Sequence, residues 1–227
     1  LLVDMVLFFK YTHRMTYRER ILAAITGPAV DHPPIPMWLG FHPWTETLER
    51  WQLESGISDL DVDDYFGLKP LRTFVEVEYG PFPHVEERVI SQDADYIVSI
   101  DHRGITKRSR KFGESIPEWI DHPIKTEDDW KRYKEKHLTG PIFNRLFALD
   151  GCLRESADFG TPLQVGEFPW GVFGTLRDLL GAEECLLAFY DMPAMVHDII
   201  DTYTSLWLDL YCEISRRVQI DIIHIWE

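Results

Sequence analysis

Two glutamates stand where chemistry is usually done. Glu167 closes the run Leu163-Gln164-Val165-Gly166, and Glu227 closes Ile220-Asp221-Ile222-Ile223-His224-Ile225-Trp226. A carboxylate that ends an apolar strand must face an open cavity or be paired, because an isolated buried charge is unfavourable. At such a place it suits general acid–base transfer or the anchoring of a cationic group; the alternative is a carboxylate salt-bridged at a rim. Two such groups sharing one site would repel each other, and burial would raise at least one pKa. His224 sits three residues before Glu227, and strand side chains alternate. The pair therefore cannot easily point the same way, and His224 reads as a satisfied core histidine rather than a co-ligand of a metal.

Four further residues are candidates for substrate contact. His42, between Phe41 and Pro43, lies on a short loop after a strand, with a solvated loop histidine as the alternative. Trp38, Phe168 and Trp170 could line a flat apolar ligand, although core packing competes for each of them. Asp61, Asp63 and Asp64 lack the Gly and Glu of a calcium loop and suit a solvated loop or a helix start. Asp101-His102-Arg103-Gly104 is explained by a hairpin turn. Cys152, Cys185 and Cys212 share no C-x-x-C spacing and read as idle thiols of a reducing compartment.

These residues need elements to hold them. Thr16 and Glu19 form a capping box ahead of a helix over 17–26, and Ile35-Pro36-Met37-Trp38-Leu39 reads as a buried strand. A helix follows over 44–53. Alternation in Phe74–Tyr79 and Tyr96–Ile100 predicts an antiparallel hairpin arm over about 72–112. Helices are expected from Thr126 and over 141–157. A strand at 163–168 precedes a helical stretch capped by Thr175. Apolar residues at Met195, Ile199, Tyr203, Leu206, Leu210 and Ile214 then mark one face of a long helix. The strand at 220–226 closes the series. Strand–helix alternation with near-continuous apolar strands implies a parallel sheet. The expected fold class is thus α/β, a partial (β/α)8 TIM barrel with an inserted antiparallel β-hairpin arm, ending before the barrel closes.

The 227 residues, 45% apolar with a formal net charge of −15, suit one domain with a sizeable core. The only real basic run is Lys107-Arg108-Ser109-Arg110-Lys111. It fits a solvated arm, and a nucleic-acid partner is not expected. Residues 1–14 read as an upstream extension and 15–227 as the domain. With no apolar run long enough for a span, the expected location is cytoplasmic.

The order of landmarks resembles the uroporphyrinogen decarboxylase superfamily. The matching pieces are Met15-Thr16-Tyr17-Arg18-Glu19-Arg20 before Ile35-Pro36-Met37-Trp38, and Ile116-Pro117-Glu118-Trp119 before Thr126-Glu127-Asp128-Asp129-Trp130. Leu176-Arg177-Asp178-Leu179-Leu180-Gly181, Tyr190-Asp191-Met192-Pro193, Val196-His197-Asp198-Ile199-Ile200-Asp201 and His224-Ile225-Trp226-Glu227 follow in order. The resemblance implies a TIM barrel and an enzyme. Its methyltransferase branch moves a methyl group using zinc and a corrinoid protein or a thiol carrier, with metal ligands that would lie beyond Glu227. Its decarboxylases hold tetrapyrrole carboxylates with arginines just after the first strand. Here that place reads Leu39-Gly40-Phe41-His42-Pro43-Trp44, with no arginine until Arg50. Methyl transfer is therefore the leading expectation. Decarboxylation of uroporphyrinogen or another carboxylate substrate and a non-catalytic ligand-binding barrel are the alternatives.

Overall fold

Thr16 Oγ1 accepts the Glu19 amide, and the Glu19 carboxylate accepts the Thr16 amide at 2.8 Å, so helix α1 (Tyr17–Thr26) starts where the capping box places it. Gly27, at φ 96°, ends it in the left-handed region that glycine enters without a Cβ penalty. The computed structural model describes residues 15–34, 43–68 and 70–227. The expected strand at 35–39, with Trp38 and His42, lies outside them, as does the extension 1–14. Helix α2 (Thr45–Ser55) and the short helix α3 (Val62–Phe66) come next; Asp61 caps α3 through the Asp64 amide.

A parallel sheet holds β1 (Thr73–Phe74), β6 (Leu163–Val165) and β7 (Ile222–Ile223) in the order β1-β6-β7. Thr73 pairs with Leu163 and Gln164 with Ile222. Backbone bonds extend the pairing, Val75 N to Gln164 O at 2.8 Å and His224 N to Val165 O at 2.8 Å. A separate antiparallel sheet holds β2 (Arg88–Gln92), β3 (Tyr96–Ile100), β4 (Thr106–Arg110) and β5 (Glu118–Asp121), in chain order.

This arrangement corrects the expected fold. The described residues form a mixed α/β structure with a three-stranded parallel sheet and a four-stranded antiparallel one, and no eight-fold parallel barrel. It also corrects the arm. Residues 73–74 belong to the parallel sheet, and the antiparallel unit runs over 88–121 rather than 72–112. The alternation in 73–79 is real: Val75, Val77 and Tyr79 are buried, while Phe74 and Glu76 are exposed. Period two reports that one face is covered, and carries no information about the direction of the partner strand.

Helices α4 (Glu127–His137), α5 (Leu149–Phe159), α6 (Val172–Leu180), α7 (Ala182–Asp191) and α8 (Pro193–Ser215) supply the rest of the core. The stripe Met195, Ile199, Tyr203, Leu206, Leu210 and Ile214 on α8 is buried throughout, against α4, α6 and α7. The expected helix over 141–157 is instead a 3₁₀ turn, Ile142–Arg145, followed by α5. That break serves Arg145, whose side chain is wholly buried. Its Nη1 donates to Glu78 O at 2.9 Å and Gly80 O at 2.6 Å, and its Nη2 to His137 O at 2.8 Å. Helix α1 is tied to the opposite end of the parallel sheet. Arg18 donates to both oxygens of Asp221, at 2.5 and 2.7 Å, and Asp221 also accepts the Leu163 amide.

Replacing Arg145 by Met removes the charged donor to the Glu78 and Gly80 carbonyls, while the His137 carbonyl keeps the Phe82 amide. The expected loss is about 3 kcal/mol or more, read as a lowered urea midpoint; a midpoint within error of the wild type would contradict the role.

Candidate functional site

Where β1 and β6 run out, the chain places carboxylates side by side. Glu76 and Glu78 follow β1, and Glu167 follows β6 after Gly166, whose φ of 78° turns the backbone there. The Glu167 amide unit closes a turn, Trp170 N donating to Glu167 O at 2.8 Å. Burial, joined by the negative charges of Glu76 and Glu78, raises the Glu167 pKa to about 7. His84 Nε2 lies 2.9 Å from Glu78 Oε2, so Glu78 has a partner of its own. Glu167 is thus a carboxyl group that changes charge near neutral pH, the property required of a proton donor and acceptor.

Glu227 occupies a different place. Its carboxylate accepts the Val172 amide at 3.0 Å and the Phe173 amide at 2.9 Å, closing the open N-terminus of α6. The helix expected to be capped by Thr175 therefore starts four residues earlier, with Gly171 in the cap position, and Thr175 is buried within it. The two strand-end glutamates meet different partners: acidic neighbours for Glu167, backbone amides for Glu227. His224 lies between core and surface. Gln164 Nε2 donates to its Nδ1 at 3.4 Å, and its ring stacks on Trp226 at 6.0 Å. Trp170 is buried and stacks on Tyr203 at 5.9 Å, so its role is packing. Phe168 is 54% exposed and meets Trp226 edge-on at 5.0 Å. It lines a cavity of about 370 Å³ with Trp119, His122 and Arg177.

A second ionic cluster joins the antiparallel sheet to α6. Arg103 Nη1 donates to both oxygens of Asp178 at 2.8 Å, and Arg103 Nη2 to Asp101 at 3.1 Å. Lys107 stands 3.6 Å from Asp101. Burial raises the Asp178 pKa to about 6, although Arg103 opposes the shift. Burial also acts against the Asp101 charge, but there Arg103 and two backbone amides prevail and the pKa is lowered. The segment Asp101-His102-Arg103-Gly104 is the turn expected between β3 and β4, and it is also half of this junction.

Glu76, Glu78, Arg103, Asp178, His122 and Arg177 were not singled out from the sequence as site residues. The usable signal was a charged pair, Arg177-Asp178, inside the apolar run Leu176 to Leu180. Among the described residues no three His, Cys, Asp or Glu side chains converge as a metal site, and Cys152, Cys185 and Cys212 are all free. These residues by themselves do not fit the zinc centre that the resemblance implies, and no step below runs through a metal or a corrinoid. No described helix is long and apolar enough to cross a membrane. No family profile, no curated protein and no solved structure matches the chain.

Two measurements separate the glutamates. Glu227→Ala should cost about 1 kcal/mol through loss of the helix cap, seen as a lower melting midpoint, with Glu227→Gln nearer the wild type; no change in either would remove the cap assignment. Glu167 behaves differently. Its folded pKa of about 7 exceeds the ordinary 4.5, so the folded state holds the proton that the unfolded chain has released. Stability contributed by this group therefore falls as pH rises between those values and is level above them. Glu167→Gln should flatten that slope and gain on the wild type at pH 8 but not at pH 4, in urea titrations at both.

Proposed function

We propose that this chain is an enzyme that transfers a methyl group from a small substrate to a thiol carrier, with Glu167 as the proton donor to the departing fragment. The observation that carries the reading is the position of Glu167: at the end of a parallel strand, with its pKa raised to about 7 by burial and, secondarily, by the negative charges of Glu76 and Glu78. The ordered resemblance to the uroporphyrinogen decarboxylase superfamily supplies the reaction class. In the step envisaged, the carrier sulfur attacks the methyl carbon as a thiolate. The electron pair of the broken bond leaves with the substrate oxygen or nitrogen, and that atom takes the Glu167 proton. Glu167 then recovers its proton from water, which a pKa near neutrality permits without loss of driving force. The acidic surroundings favour a reacting centre that is neutral or cationic.

Decarboxylation of a polycarboxylate such as uroporphyrinogen stands second for the same reason. Glu76, Glu78 and Glu167 would repel a substrate whose recognition calls for several arginines.

The test incubates the protein with a thiol acceptor and a set of O-methyl and N-methyl donors, and follows S-methylation by mass. Glu167→Gln should lower kcat by about two orders of magnitude or more, the usual worth of a general acid, with the fold intact. Glu76→Gln and Glu78→Gln each remove a negative neighbour and should shift the alkaline limb of the kcat profile to lower pH. Full turnover in Glu167→Gln, or a limb that moves in neither neighbour variant, would remove the assignment.

A further inference from the structure

The cavity beside Phe168 lies at the junction of β5, the turn after β6, and α6. Its lining includes two aromatic side chains, Trp119 from β5 and Phe168 from the strand end, with Pro169 beside Phe168. Its polar groups are Arg177, Asp178 and His122. Of these, Asp178 is already committed, since both of its oxygens accept from Arg103. His122 is oriented: its Nδ1–H donates to the Asp178 carbonyl at 2.8 Å, which leaves Nε2 free to face a ligand. Gly181, at φ 87°, lets the ring lie there, because a Cβ at that position would come within 2.8 Å of His122 Cδ2.

Arg177 is the group left over. It forms no hydrogen bond or ion pair with a described residue, and the carboxylate whose field it feels, Asp178, has Arg103 as its partner. The charges around Arg103 balance without it: Asp101 and Asp178 against Arg103 and Lys107. In a chain of net charge −15, carboxylates are abundant, yet none of the described ones closes on this guanidinium. An arginine without a partner among the described residues, in a cavity lined by two aromatic side chains, is a recognition element for a planar anion. The fork binds a carboxylate through two parallel N–H donors, and the rings take the apolar body.

We infer that this cavity binds a small aromatic monocarboxylate, its carboxylate on Arg177 and its ring between Trp119 and Phe168. The inference does not rest on the proton chemistry of Glu167. A cavity of about 370 Å³ accommodates a single ring with its carboxylate. A polycarboxylate does not suit it, since one guanidinium neutralises one charge.

The probes are benzoate and its neutral isostere benzamide, titrated calorimetrically into the 227-residue protein. Benzoate should bind at least about ten-fold more tightly than benzamide, the usual worth of a charge-assisted pair. Arg177→Gln should abolish that preference while leaving benzamide affinity unchanged. Arg177→Lys keeps the charge but loses the fork, and should retain only part of the preference; it gives the reading if the Gln variant fails to fold. Trp119→Leu should weaken both probes together. Equal affinity of the wild type for the two probes, or a benzoate preference that survives in both Arg177 variants, would overturn the site.

Discussion

Among the described residues, the guanidinium of Arg145 has no carboxylate within ion-pair distance. Its two terminal nitrogens donate to main-chain carbonyls of two segments, the stretch after β1 and the end of α4. That choice sets the course of the chain through Glu78 to Phe82, which has no regular secondary structure to satisfy it. Burial lowers the Arg145 pKa, so the environment leans against the charge that the carbonyls need. The carbonyls must therefore be well placed, and the loop is held to one path. Trp207 adds a second tie, its indole donating to the Tyr79 carbonyl at 3.0 Å. With both in place, Glu76 and Glu78 are carried to the strand end where Glu167 meets them.

The candidate site inherits its electrostatics from this backbone constraint. The raised pKa of Glu167 owes its charge contribution to Glu76 and Glu78, so it depends on where the backbone after β1 places them. Here the β1 segment is fixed from within by buried Val75, Val77 and Tyr79, so the alternate residues emerge together. Tyr79 itself is far above its ordinary pKa through burial and donates to Val75 O at 2.8 Å. The same principle acts at the junction of the sheets. Arg103 is shared between Asp101 and Asp178; at Asp101 two backbone amides add to it and the pKa is lowered, whereas at Asp178 burial prevails and the pKa is raised.

Features set within a few residues of each other were readable in the chain. The Thr16–Glu19 capping box, the Thr126 cap and the α8 stripe all depend on spacings of three or four, and all occur in the structure. Features set by distant partners were not. Thr175 is not the cap of α6, because the capping carboxylate arrives from Glu227, 55 positions from Val172. The partner of β1 was misassigned because alternation shows burial and leaves strand direction open. The barrel expectation extended a true local pattern, parallel strands with apolar faces, to a closed sheet that the described residues do not form. Glu167 was visible as a strand-end carboxylate, whereas the neighbours that tune it come from a strand read as part of an arm.

The two sheets differ in how far the chain must travel to build them. Strands β2 to β5 pair each with the next, through short connections. By contrast, the buried contact of Thr73 with Thr161 spans 88 residues, and the tie of Arg18 to Asp221 spans 203. Loop-closure entropy penalises the long connections before their contacts can form. During synthesis from the ribosome, the antiparallel meander can therefore assemble while β1 still waits for β6. The side chains after β1 that the finished fold buries, Val75, Val77 and Tyr79, stay open to other nascent chains over that interval, so chaperone demand should concentrate on the first half of the polypeptide.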